Sequence, residues 1–316
     1  MPDPYRVLCL WDVSFCPWVL DKLRAVAEVD VQAPDRDFVV AHIGEYDAIL
    51  VALSLPLDAE LIGRAQRLRV VVTPSTGLDH LDLKALAARG IEVQSIKTEY
   101  ELLDRITATA ELAWALALAA ARKLPMAQQA ALRGEWARDR FRGTQLSGKT
   151  LGILGVGRLG TMVARYGRAF GLQVIGCDRS PRKLLDFVEY VDFDTLLNRS
   201  DILSIHVHLS EDNRHLLNAA AVARMKPGAI LVNTSRGGIV DETALVAALR
   251  EGRLGGAGVD VVDGEWRPDL VDHPLVALAR EHPNVVISPH IGGVTVESQA
   301  MSLQFSADRL AKALAG

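Results

Sequence analysis

Twelve residues constrain this chain more than any others: Lys149-Thr150-Leu151-Gly152-Ile153-Leu154 runs directly into Gly155-Val156-Gly157-Arg158-Leu159-Gly160. A short apolar run, then G-x-G-x-x-G, then a helical pattern reads as a strand, a tight turn and a helix start. The first glycine permits the turn, the second lets backbone approach a pyrophosphate, and the third lets the helix pack on the strand. Amides at the helix start, around Arg158 and Leu159, and the helix dipole then hold the diphosphate of a dinucleotide. The next apolar run ends at Asp178, 23 residues after Gly155. A carboxylate there accepts hydrogen bonds from ribose hydroxyls and repels a 2′-phosphate. The expected cofactor is therefore NAD rather than NADP, with the cationic Arg179 as the neighbour that would tolerate the phosphate.

Similar apolar runs recur along the chain. Strands are expected at 6–11, 48–53, 70–73, 91–95, 150–154, 173–177, 202–206, 229–232, 256–260 and 285–288, and helices at 83–89, 107–122, 159–170, 242–251 and 295–314. The helix at 107–122 is expected to end before Pro125, with polar residues 128–148 leading into the next strand. Strands that are apolar throughout and separated by helices imply parallel sheets covered on both faces. The fold class is α/β, with two doubly wound parallel-sheet domains of Rossmann or flavodoxin type, and 316 residues suit two domains.

Composition excludes several classes of function. At 49% hydrophobic and 23% charged the chain is not disordered, and a net charge of −4 offers no footprint for nucleic acid or an anionic membrane. The longest apolar run, Leu112 to Ala121, is half of the roughly 20 residues a membrane span needs. The first residues, Met-Pro-Asp-Pro-Tyr-Arg, carry no secretory pattern. Cys9, Cys16 and Cys177 fit no ligand spacing, so no metal is expected and the thiols read as those of a reducing cytoplasm.

In a doubly wound sheet, ligands bind outside the carboxyl ends of the strands. Three segments stand there: Asn233-Thr234-Ser235-Arg236-Gly237-Gly238, the run Gly258 to Glu265, and Ser288-Pro289-His290-Ile291-Gly292-Gly293. Each contributes one chemically apt group. Arg236 offers a permanently charged fork suited to a carboxylate. His290 suits exchange of a hydroxyl proton, and Glu265 orients it and favours its imidazolium form. Taken singly, each has a plain alternative as a surface or loop residue; their order after the glycine signature joins them.

Together with Gly77-Leu78-Asp79-His80-Leu81-Asp82, Gly134-Glu135-Trp136, Ser200 to His206, and Met225-Lys226-Pro227-Gly228, these motifs resemble the D-isomer-specific 2-hydroxyacid dehydrogenase family from about Val70 onward. The resemblance implies a discontinuous substrate domain, residues 1–103 with 292–316, and an NAD-binding Rossmann domain, 104–291. It implies an Arg236–Glu265–His290 catalytic set and cofactor contacts from His206, Thr234, Ser235 and Asp260, the last meeting the nicotinamide carboxamide. Ser75, Thr76 and Gly77 resemble the loop that cradles the substrate carboxylate. Lys97 reads either as a contact to a second anionic group or as a solvated loop lysine. Homodimers are usual in the family, and the Leu112–Ala121 helix suits such a contact or, equally, an internal core.

The chain departs from the family pattern at His208, where proline is common, and at Trp266-Arg267, where proline usually follows the glutamate. Residues Ile96 to Leu103 replace a usual proline–glycine turn. The expected activity is interconversion of a D-2-hydroxy acid and its 2-keto acid, with closure of the domains excluding water. The alternative is an NAD-binding regulatory module of the corepressor type. The identity of the acid is not legible in the motifs.

Overall fold

The computed structural model describes residues 4–180 and 184–315; residues 1–3, part of the start read above for a secretory pattern, lie outside the described residues. In chain order the elements are β1 (Tyr5–Cys9), α1 (Pro17–Arg24), β2 (Ala27–Val31), α2 (Arg36–His42), β3 (Ala48–Leu50), α3 (Ala59–Arg64), β4 (Val70–Thr73), α4 (Leu83–Ala88), β5 (Glu92–Ser95) and α5 (Tyr100–Leu103). There follow α6 (Ala108–Arg122), α7 (Leu124–Leu132), β6 (Thr150–Leu154), α8 (Arg158–Ala169), β7 (Gln173–Cys177), β8 (Val188–Tyr190), α9 (Phe193–Arg199), β9 (Ile202–Ile205) and α10 (Ala219–Arg224). The last are β10 (Ile230–Asn233), α11 (Glu242–Arg250), β11 (Gly256–Val259), α12 (Pro274–Ala279), β12 (Val285–Ile287) and α13 (Val296–Ala315). The chain divides after Ile106 and again after Gly293, so both ends build one unit and the middle builds the other.

In the first unit five parallel strands lie in the order β2-β1-β3-β4-β5. Consecutive strand residues are apolar because they face opposite layers. Leu8, Ile49 and Val71 meet Val39, Leu61, Ile62 and Leu86 from α2, α3 and α4. Val7, Cys9, Leu50 and Val72 meet Val19 and Leu23 of α1 and the stripe Leu303, Ala307, Leu310 and Leu314 of α13. Each such buried leucine contributes about 2 kcal/mol. Asp35, Asp58 and Asp82 cap α2, α3 and α4 through their carboxylates, satisfying one early amide each.

The second unit is a seven-stranded parallel sheet, β12-β11-β10-β9-β6-β7-β8. Trp114, Leu116, Ala117 and Ala121 of α6 and Val163 and Ala164 of α8 share one core with Ile153, Val174 and Val232 of the sheet. The apolar run Leu112–Ala121 is thus spent mostly inside its own unit. Opposite lies a second core built on Leu203, Leu231 and Ala257 with Leu245 and Leu249 of α11.

Three local features differ from expectation. Lys123, at φ 53°, ends α6, but a further helix, α7, starts at once with Pro125 in its first turn, where a missing amide costs nothing. Strands β2 and β8 were not expected. Both are sheet edges, and Glu28, Asp30 and Glu189 give them the charged character of edge strands rather than the apolar run of central ones. Among the described residues no helix is long and apolar enough to cross a membrane.

Candidate active site

The second sheet reverses its direction of growth between β6 and β9: β7 and β8 extend from one side of β6, and β9 to β12 from the other. Turns leaving strands at such a point diverge and open a crevice at their carboxyl ends. The Gly155–Gly160 turn leaves β6 there, and His206 leaves β9.

Each glycine of that turn is required for a different reason. Gly155 has φ +91°, and a Cβ on it would stand 2.7 Å from the His206 carbonyl oxygen. A Cβ on Gly160 would stand 2.0 Å from the Gly155 carbonyl oxygen, so α8 could not approach β6 as it does. A Cβ on Gly157 would meet nothing within 4 Å, which leaves that backbone open to a ligand. The first helical bond of α8 runs from the Thr161 amide to the Gly157 carbonyl, so the amides of the opening turn face the crevice end of the helix. Arg158 and Leu159 are the first two residues of α8 and are half-buried. Asp178 follows β7; one of its carboxylate oxygens accepts the Ser180 amide at 2.7 Å.

Two buried polar atoms at the carboxyl ends of β9 and β10 have no partner among the described residues, His206 Nδ1 and Thr234 Oγ1, and the His206 carbonyl lies against Gly155. His206 Nε2 lies 2.8 Å from Ser204 Oγ, and burial pushes its titration down to about 4, keeping the ring neutral near pH 7. Ser235 donates its hydroxyl to the Ile205 carbonyl at 2.9 Å. Neutral donors and acceptors on the strand ends next to an amide-lined turn fit a dinucleotide. Among the described residues no three His, Cys, Asp or Glu side chains converge as a metal site.

The catalytic candidates gather on the turns after β10, β11 and β12. His290 Nδ1 lies 2.5 Å from Glu265 Oε1, with both side chains mostly buried. His290 has φ 52°, a left-handed conformation that costs a non-glycine residue energy and persists only where its surroundings impose it. Asp260 imposes it. Its carbonyl accepts the His290 amide at 2.8 Å, and its carboxylate accepts Ser288 Oγ at 2.6 Å and the Ile291 and Gly292 amides at 2.9 and 2.7 Å. Burial raises the Asp260 pKa and these three bonds lower it, burial being the larger influence.

Arg236 donates to the Ser235 carbonyl at 2.8 Å, and the loop carrying it is closed by Asn233, whose amide donates to the Arg236 carbonyl at 2.9 Å. Gly237 packs against the next turn so tightly that a Cβ on it would stand 2.1 Å from the Asp263 amide nitrogen. The Arg236 loop and the turn bearing Glu265 are therefore in direct contact. Asn233 and Ser288 hold the turns that carry these candidates but offer no apt chemistry of their own, so only their position in a folded chain discloses them. The departure at Trp266 also resolves. Gly264, at φ 73°, turns the chain, and the half-exposed Trp266 ring stacks on His290 with centroids 6.0 Å apart and planes 23° apart.

Ser75, Thr76, Gly77 and Lys97 belong to the first unit. Ser75 is buried, shares a 2.8 Å contact with Thr73 Oγ1 and donates to the Gly77 carbonyl at 2.8 Å, which tightens the loop after β4. Lys97 is exposed, with its amide 3.3 Å from Ser95 Oγ.

Residues 114–292 match the family described as D-isomer specific 2-hydroxyacid dehydrogenase, NAD binding domain. The chain is 39% identical over 308 residues to a glyoxylate reductase of Aeropyrum pernix, covering 93% of this chain and 89% of that protein. It is 38% identical over 289 residues to the D-3-phosphoglycerate dehydrogenase of Mycobacterium bovis, covering 90% of this chain and 52% of that protein. The chain thus spans about half the length of the mycobacterial relatives it matches. The fold is similar to that of the Aquifex aeolicus D-lactate dehydrogenase complexed with NAD and lactic acid, with TM-score 0.85, 27% identity, and 98% and 95% of the two chains covered.

Proposed function

The chain belongs to the D-isomer specific 2-hydroxyacid dehydrogenase family, and from that premise we propose that it interconverts a D-2-hydroxy acid and its 2-keto acid with NAD as cofactor. The observation that carries this reading is the 2.5 Å bond between His290 Nδ1 and Glu265 Oε1 beside the Arg236 loop. A nicotinamide dinucleotide on the glycine turn supplies or receives the hydride. In the reducing direction His290 gives the proton on Nε2 to the substrate carbonyl oxygen. Glu265 accepts the Nδ1 hydrogen bond, which leaves Nε2 as the working nitrogen and offsets the charge of the imidazolium. Arg236 holds the substrate carboxylate with its fork and polarises the adjacent carbonyl. The Ser75-Thr76-Gly77 backbone serves the same carboxylate, and Lys97 serves a second anionic group where the substrate has one. Asp260 fastens the His290 turn while its position at the end of β11 suits the nicotinamide carboxamide. Oxidation uses the same atoms in reverse.

A panel of glyoxylate, hydroxypyruvate, its phosphate ester and branched 2-keto acids, each offered with NADH and with NADPH, tests the proposal. Turnover of at least one acid is expected, with kcat/KM higher for NADH because Asp178 repels the 2′-phosphate. No turnover on any acid overturns the enzymatic reading in favour of a cofactor-binding regulatory protein, and a preference for NADPH overturns the role of Asp178. We further propose that the protein works as a cytoplasmic homodimer. Light scattering of the purified chain is expected to give twice the 34.3 kDa chain mass, and a monomer mass rejects it.

A further inference from the structure

Behind the catalytic turns, on the side of α11, lies a cavity of about 230 Å³ lined by His215, Asp241, Glu242, Asp263, Arg267 and His273. Its lining includes a buried acid–imidazole pair. Glu242 Oε2 lies 2.9 Å from His273 Nε2, with only 13% and 6% of the two side chains exposed. Glu242 Oε1 accepts the Asp263 amide at 3.1 Å. His273 caps α12 by accepting the Leu275 amide on Nδ1 at 3.3 Å, so the hydrogen of its neutral ring sits on Nε2 and points at Glu242. Three donors and acceptors in series therefore run from α12 through His273 and Glu242 to the Asp263 amide, two residues before Glu265. The same Asp263 packs on Gly237, next to Arg236, and its carboxylate lies 3.5 Å from Arg214.

We infer that Glu242, held by His273, is a positioning residue that ties the Asp263–Glu265 turn to the first turn of α11 and so keeps Glu265 in register with Arg236. Helix α11 begins six residues after Arg236, so one carboxylate links the two loops that carry the arginine and the glutamate. The tie depends on charge. Both Glu242 oxygens face donors, and a proton on Glu242 would oppose either the Asp263 amide or the Nε2 hydrogen of His273. A neutral acceptor also makes a weaker bond than a carboxylate. The Glu242 pKa is raised to about 7: burial is the largest cause, the Asp263 amide lowers it, the Asp263 and Glu265 charges raise it and Arg267 lowers it. Asp241 at the cap of α11, His215 and Arg214 before α10, and His273 at α12 are the further charged and titratable groups around it among the described residues. The tie is thus present above about pH 7 and lost below it. Global stability runs the other way: a raised acid pKa stabilises the fold below the usual carboxylate range, and that contribution is lost as pH rises through about 7.

Glu242→Gln tests this, because its amide keeps an acceptor for Asp263 but turns a donor on His273, imitating the protonated acid. His273→Ser is the second variant; it keeps a cap acceptor for the Leu275 amide and removes the imidazole donor to Glu242. Hydrogen exchange at the Asp263 amide, corrected for intrinsic rate, reads the tie in the whole chain without any turnover. Protection in the parent is expected to exceed that of Glu242→Gln about 10-fold at pH 8.5 and to equal it at pH 5.5. In His273→Ser the midpoint moves to higher pH. The kinetic arm rests on the proposed reaction: the parent-to-variant ratio of kcat/KM is expected to follow the same course, from about 10 to 1. That ratio cancels the ionisations of groups that the substitution leaves unmoved, and a defect of folding alone would leave it constant with pH. Equal or pH-independent exchange ratios overturn the inference whether or not the parent turns over keto acids. A flat kinetic ratio in an active parent overturns the link to catalysis, whereas an inactive parent rejects the proposed reaction and leaves exchange to decide the tie.

Discussion

Replacing His290 by asparagine is expected to lower kcat/KM for keto-acid reduction by about 10²–10⁴-fold, the usual contribution of a positioned general acid. Asparagine is the informative choice. His290 stands at φ 52°, a region that asparagine tolerates better than alanine, so the turn pinned by Asp260 survives the change. The asparagine amide can still donate to Glu265, but it has no second nitrogen with a transferable proton. Binding of NADH, followed by cofactor fluorescence, is expected to stay within about twofold of the parent, because the glycine turn after β6 is untouched. A loss of less than tenfold in kcat/KM would remove His290 from proton transfer and leave the Glu265 bond a structural one.

The second large effect concerns the cofactor turn. Gly160→Ala places a methyl group 2.0 Å from the Gly155 carbonyl oxygen, and because that atom is backbone the start of α8 must move. Overpacking of this kind costs about 1–3 kcal/mol. In a unit of this size that lowers the melting temperature by roughly 5 °C. The displaced amides no longer converge, so the dinucleotide Kd is expected to rise about 100-fold. Gly157→Ala provides the contrast, since its methyl would meet no protein atom within 4 Å. Its melting temperature should match the parent while its Kd rises, because only an approaching diphosphate would collide with it. Unchanged binding in Gly157→Ala would take the diphosphate away from this turn.

Much of this arrangement could be read in the amino-acid order, and the reasons are specific. Strands at 150–154 and 173–177 are apolar because helices cover both faces of the sheet, and the glycine turn leaves little conformational choice. Strand β2 escaped because an edge needs charge more than apolar character, and α7 escaped because Pro125 suggests termination although it sits equally well in a first turn. Among the candidate site residues, chemistry singled out Arg236, Glu265 and His290. Asn233, Ser288, Glu242 and His273 act by holding other groups in place, a role that depends on which strands end side by side. The stacking of Trp266 on His290 likewise depends on a positive φ at Gly264, which the order of residues alone does not announce.

The route of the chain through its two units also sets an order of events during synthesis. When Ile106 leaves the ribosome, every strand of the first sheet is available, yet the leucine stripe of α13 that covers one of its faces is still some two hundred residues from being made. The second unit is continuous from Thr107 to Gly293 and can close on itself in that interval. The nascent first unit must therefore wait with Val7, Leu50 and Val72 partly uncovered, and that waiting period is when chaperones have the most to protect.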